Sequence, residues 1–218
     1  MKRFFVRLFT MMIGLFLFAL GIIITIKANI GYAPWDVLHA GLARTLGFNI
    51  GTMSVLVGLI IVIISALLGE TLGLGTIFNM LCIGTFMNLI LLIDVIPLAK
   101  NMIFGTIMLI SGLFVISLGT YYYIKSGFGA GPRDNLMVML TKKTKLPVGV
   151  CRFIIEFFAT LGGWLLGGMV GIGTVISVVA IGLCVQITFK VLRFDVTSVK
   201  HESLKDTLAF FMAKRKNT

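Results

Sequence analysis

The chain has 218 residues, of which 58% are apolar and 12% charged, and its mean hydropathy is +1.08. A water-soluble domain of this length needs about a quarter of its residues charged to solvate its surface, which excludes an ordinary soluble enzyme and leaves an integral membrane protein. The net charge of +11 would by itself admit a nucleic-acid partner, so the position of the cations along the chain has to decide what the charge is for.

Residues 8–26 form the first uncharged apolar run, preceded by Lys2, Arg3 and Arg7. The run is longer than a signal-peptide core of about 7–15 residues and no A-x-A pattern follows it, so it reads as a retained membrane helix. Residues 27–50 follow, long for a connection, and enclose a segment from Pro34 to Leu46 that is too short to span. The runs 51–69, 71–93 and 103–124 are each long enough to cross as helices that satisfy their own backbone hydrogen bonds. Residues 125–148 then repeat the long connection, with a short segment from Pro132 to Thr144. The run 149–169 is interrupted by Arg152 and Glu156 only, and 170–189 is uncharged. In the tail, Leu204, Leu208, Phe211 and Met212 fall at helical spacing with Lys205 and Lys214 among the polar positions, the pattern of an amphipathic helix on an anionic inner leaflet.

Placing the N-terminus inside puts sixteen of the nineteen Lys and Arg residues on the cytoplasmic side and leaves Lys27, Arg44 and Lys100 outside. This bias sets the orientation, with both termini cytoplasmic, and accounts for the basic balance without nucleic acid.

A shift of 98 residues aligns the two halves without a gap, with 21 identities over the 78 positions that pair 11–88 with 109–186. The matches include Gly14 with Gly112, Gly21 with Gly119, Lys27 with Lys125, Gly51 with Gly149, Gly75-Thr76 with Gly173-Thr174 and Gly84 with Gly182. Apolar composition matches leucines by chance, but it does not align glycines, a proline, an aspartate and a lysine in one register. Each half holds three spans, an odd number, so the copies enter the membrane in opposite directions. Inverted repeats of this kind recur in secondary transporters, with sites near the midplane between the repeats.

The repeated connections carry Gly31-x-Ala33-Pro34-x-Asp36 and Gly129-x-Gly131-Pro132-x-Asp134. Glycine permits an unusual turn, proline suits the first helical position, and the aspartate then stands near the third, facing free N–H groups at the positive end of the helix dipole. Each segment is a re-entrant half-helix whose start faces a solute, a site at which Asp36 and Asp134 bind a cation or proton, or a short interfacial helix with its own cap. The copies differ where Trp35 becomes Arg133, Val37 becomes Asn135, His39 becomes Met137, Ser54 becomes Arg152 and Gly58 becomes Glu156. Glu156 lies about 10 Å into its span, where a charge normally faces protein or water, and Arg152 one turn away is its expected partner. The candidate solute-binding set is therefore Trp35, Asp36, His39, Arg133, Asp134, Asn135 and Glu156, with Gly31, Pro34, Gly129 and Pro132 as the structural motif. His39 by itself reads as a loop histidine, since no other ligand type clusters with it. Lys27 and Lys125 read as snorkelling helix ends, and Asn79, Asn88 and Gln186 as bonding between helices. No phosphate loop, nucleophile–base constellation or metal spacing is present, and Cys82, Cys151 and Cys184 make no disulfide framework. An enzyme and a cofactor are not expected.

The run from Gly31 to Leu38 followed by Gly41-Leu42, together with Gly127-Phe128-Gly129-Ala130-Gly131-Pro132-Arg133-Asp134-Asn135-Leu136-Met137, resembles the signatures of the YczE/YyaS/YitT group of bacterial membrane proteins. The resemblance is to its YczE-like branch and covers residues 8 to about 194. It implies a multi-span protein of the bacterial inner membrane and carries no catalytic residues onto this chain. The expected fold is all-α, with six transmembrane helices as two inverted-topology repeats of three, each with a short re-entrant or interfacial helix in its first loop. The expected divisions are 1–100, 101–192 and a cytoplasmic basic tail, 193–218. The expected function is transport of a small solute or ion between the repeats. The alternative is a non-transporting membrane scaffold or regulatory protein acting through partners at the cytoplasmic loop and tail.

Overall fold

The computed structural model describes residues 2–69, 73–129, 131–146, 148–194, 199 and 202–203, and within them the side chains of all but 2, 3, 134, 135, 137, 138, 141, 142, 148, 149 and 152. Eight helices make up the described chain: α1 (Lys2–Lys27), α2 (Pro34–Leu46), α3 (Ile50–Leu67), α4 (Leu74–Ile93), α5 (Met102–Lys125), α6 (Pro132–Thr144), α7 (Val148–Leu165) and α8 (Ile172–Val191). Five of them, α1, α3, α4, α5 and α8, are long and apolar enough to cross a membrane. The sixth expected span, α7, has 18 residues and carries Arg152 and Glu156, and among the described residues it counts as a shorter apolar helix, Phe153–Leu165. At 13 residues each, α2 and α6 extend only about 20 Å, well short of a hydrocarbon core of about 30 Å. The expected amphipathic helix in the tail lies outside the described residues.

The molecule is apolar outward as well as inward. Phe9, Ile60, Ile103 and Val179 are exposed, while Thr25, Asp36, His39, Ser117 and Ser177 are buried. Such an arrangement suits lipid around the helices and polar groups between them.

The core is the seam between α1 and α5, where Met11, Leu15, Ile22, Leu109 and Leu113 are fully buried. Glycine lets the two backbones touch. A Cβ on Gly14 would lie 2.8 Å from the Gly119 carbonyl oxygen, and one on Gly21 would lie 2.7 Å from that of Gly112. Because Gly14 faces Gly119 while Gly21 faces Gly112, the two helices run antiparallel. Around this seam α4 packs on α1 and α8 on α5, while α2 packs on α7 and α6 on α3.

Counterpart residues 98 apart adopt matching backbone states. Gly31 and Gly129 have φ of 119° and 117°, Gly69 and Gly167 have 84° and 85°, and Gly47 and Lys145 have 74° and 58°. The Gly75 N–H donates to the Phe128 carbonyl and the Gly173 N–H to that of Ile30, both at 2.7 Å, so each half caps the other. The Gly73 N–H donates to Thr76 Oγ1 at 3.3 Å and the Gly171 N–H to Thr174 Oγ1 at 3.1 Å, closing the starts of α4 and α8 alike.

One seam breaks the correspondence. Between α3 and α4, a Cβ on Gly51 would lie 2.2 Å from the Gly84 carbonyl oxygen, and Met80 Cγ stands 2.9 Å from where a Gly58 Cβ would be. On α8, a Cβ on Gly182, the counterpart of Gly84, would meet nothing within 4 Å among the described residues. In the second half Glu156 stands where α3 has Gly58.

Candidate functional site

The start of α2 is set by its own sequence. Gly31 takes the left-handed φ because a Cβ there would lie 2.7 Å from the Gly171 nitrogen, and the Tyr32 N–H donates to the Met169 carbonyl at 3.1 Å. Ala33 is then extended, Pro34 occupies the first helical position, and Asp36 the third. Gly129 turns the chain in the same way before Pro132 and α6. Both helix starts open on one cavity of about 340 Å³, to which all eight helices contribute.

Five of the seven candidate residues line this cavity: Trp35, Asp36, His39, Arg133 and Glu156. The side chains of Asp134 and Asn135, and of Arg152, the expected partner of Glu156, lie outside the described residues. Trp35 and Arg133 occupy the same place in the two repeats and meet there, the guanidinium carbon 4.9 Å from the ring centroid. This contact joins α2 to α6 and is worth about 0.5–2 kcal/mol depending on its hydration.

The residue that caps α2 is Ala33, which has no side-chain acceptor, and Asp36 follows in the first turn. Asp36 turns toward His39, one turn on, with Oδ1 and Nδ1 3.6 Å apart. Both residues are buried, at 2% and 1% exposure, and neither of these two atoms has a hydrogen-bond partner among the described residues. His39 is thus on a helix and wholly inside, and not in a loop as expected. What hid this is the glycine-rich, low-apolarity context of α2, which reads as a surface connection until the repeat is folded together.

Other expected polar contacts fall outside the cavity. Lys27 does not merely snorkel: its Nζ meets Asp94 Oδ1 at 2.5 Å. Lys125 donates to the Tyr121 hydroxyl at 2.8 Å and lies over that ring. Asn88 does bond between helices, donating to Thr52 Oγ1 at 3.0 Å. At the other end of the molecule Arg7 pairs with Glu202 at 2.6 Å and donates to the Ser126 carbonyl at 2.7 Å, while the Glu202 N–H donates to the Gly127 carbonyl at 2.9 Å. The segment after α8 therefore returns to the turn that leads into α6. Sequence pattern could not find this pair, since 195 positions separate its members.

A polar focus with two helix starts and largely apolar walls has the form of a small-molecule pocket. Among the described residues no group of three His, Cys, Asp or Glu side chains could hold a metal ion.

Residues 5–190 match the model of a protein family described as "Family of unknown function (DUF6198)". An uncharacterized protein of Haemophilus influenzae is 36% identical over 80% of this chain and 81% of its own length. The uncharacterized membrane protein YczE of Bacillus subtilis is 32% identical over 79% of this chain and 80% of its own, and the B. subtilis protein YyaS 30% identical over 80% and 88%. No solved structure matches. The helical, outwardly apolar architecture, the YczE-like relatives and a family match over most of the length agree: this is a membrane protein that belongs to the DUF6198 family.

Proposed function

We propose that the protein carries a small solute across the bacterial plasma membrane through a site between two inverted repeats, with both termini in the cytoplasm. The observation that carries this reading is the central cavity, at which the starts of α2 and α6 meet and Trp35 touches its own counterpart, Arg133. On this reading α2 and α6 are re-entrant half-helices and the six remaining helices are spans. Support comes from the antiparallel glycine seam of α1 and α5, the paired hydrogen bonds of Gly75 and Gly173, and the matching φ values 98 residues apart. The cation distribution independently supports connections that lie on opposite sides.

The unequal seams supply a mechanism. Gly51 and Gly84 close α3 on α4, whereas Gly182 is open. Exchanging the two conformations would close α7 on α8 through Gly149 and Gly182 and open α3 from α4, exposing the same cavity to the other side.

The test uses proteoliposomes loaded with a cell extract, with the solutes that leave the lumen identified by mass spectrometry. At least one solute is expected to leave vesicles containing the parent chain and to be retained by vesicles containing Asp36→Asn or Asp134→Asn. Release no faster than from empty vesicles, or equal release by the variants, overturns the reading.

The scaffold reading keeps one observation in its favour, the return of Glu202 to the turn at Ser126 and Gly127. Deleting residues 199–218 separates the two: loss of a cellular phenotype with unchanged flux supports the scaffold.

A further inference from the structure

We infer that the central cavity binds small organic cations, with a protonated amine held by Asp36 and His39 and an apolar body lying against the surrounding helices. The inference rests on the proposed transport site for its location and adds the chemistry of the ligand.

The first ground is what the pocket lacks. Asp36 Oδ1 and His39 Nδ1 lie 3.6 Å apart, too far to bond each other, and both are without a hydrogen-bond partner among the described residues. A carboxylate accepts only, so what completes it is a donor, and a positively charged donor also offsets the buried charge. An ammonium carries several N–H groups. One nitrogen about 2.9 Å from each atom would donate to Oδ1 and to an unprotonated Nδ1 together.

The remaining surfaces narrow the choice. Arg133 is the one Lys or Arg side chain that lines the cavity among the described residues, and it is engaged over the Trp35 ring. That contact occupies the place where a cation would otherwise meet an aromatic face, and it leaves Asp36 as the anchor. A bare metal ion is disfavoured, because no three ligating side chains converge among the described residues and much of the wall is apolar, including Ile22, Ile61, Ile83, Leu113, Val185 and Phe189. An anion would meet the Asp36 carboxylate. At about 340 Å³ the cavity is at the small end of ligand pockets, which suits one ring or a short chain.

The experiment titrates the purified full-length chain in detergent with benzylamine, n-hexylamine, benzyl alcohol and benzoate. The readout is Trp35 fluorescence in a Trp164→Phe background, since Trp164 is the other tryptophan and is exposed. At least one amine is expected to bind saturably, with affinity about tenfold or more weaker in Asp36→Asn, while benzyl alcohol and benzoate do not bind. Benzoate binding as tightly as the amines, no binding by either amine, or an unchanged affinity in Asp36→Asn overturns the inference. Should that variant fail to fold, thermal melting of the parent decides, because only the amines should raise its midpoint. The two readings fail differently. An amine that binds but never crosses the vesicle membrane contradicts transport and leaves the ligand class standing. Carriage of an anionic or neutral solute without amine binding does the reverse.

Discussion

Asp36 stands where a residue selected for stability alone would not. Its carboxylate is buried, and its Oδ1 has no donor among the described residues. The helix start stabilises it by about 0.3–1 kcal/mol, less than the several kcal/mol that burying an unpaired charge costs. Asp36→Asn should therefore raise the thermal midpoint, by a stability gain of about 1 kcal/mol, while weakening amine binding about tenfold or more. A clear drop in the midpoint would show that the carboxylate is part of the scaffold. Trp35→Ala removes the contact to Arg133 that joins α2 to α6 and should lower stability by about 0.5–2 kcal/mol, measurable by the same melt. At this scale the sequence was legible in part. Asp36 was marked by the repeated motif and Arg133 by its difference from Trp35, because both features survive in one dimension. That Trp35 and Arg133 touch, and that His39 turns inward beside Asp36, depends on which elements distant in the chain pack against α2, which periodicity along one chain does not encode.

The helices follow their punctuation. Proline set the starts of α2 and α6 where expected, and Gly47, with φ 74° and its N–H donated to Ala43, closes α2. The first helix begins at Lys2, six residues ahead of the apolar run, because charged residues at a helix end can stay helical in the interface. Hidden from sequence was the difference between the two glycine pairs, since Gly84 and Gly182 are identical letters in identical register. Their substitutions should part company. Gly84→Ala places a Cβ 2.3 Å from the Gly51 carbonyl oxygen and should cost about 1–3 kcal/mol. Gly182→Ala enters open space and should leave the melt within about 0.5 kcal/mol of the parent. If α7 must later close on α8, the same Gly182→Ala variant should nevertheless lose flux. Equal melts for the two alanines, or full flux in Gly182→Ala, would contradict this account of the seams.

Across the whole molecule, composition was enough to place the chain in a membrane, and the positions of the cations gave its net charge of +11 a meaning that the total could not. The fold adds how the halves hold one another. Gly75 of the first bonds the carbonyl of Phe128 in the second, and Gly173 of the second bonds that of Ile30 in the first. Beyond α8, Arg7 and Glu202 secure the turn before α6 with an ion pair about one-third exposed, worth only about 0.2–1 kcal/mol. Its loss in Glu202→Ala should change flux or tail protection far more than the melt.

Opposed insertion of the two halves is the claim on which the cavity, the seams and the proposed transport all depend, and labelling of matched cysteines tests it most directly. Gly47 and Lys145 are exposed counterparts at the ends of α2 and α6. Each is replaced by cysteine in a chain with Cys82, Cys151 and Cys184 changed to alanine, and intact cells are treated with a membrane-impermeant maleimide. The account predicts that Gly47→Cys labels in intact cells and that Lys145→Cys labels only after permeabilisation. Labelling of both from the same side would contradict it.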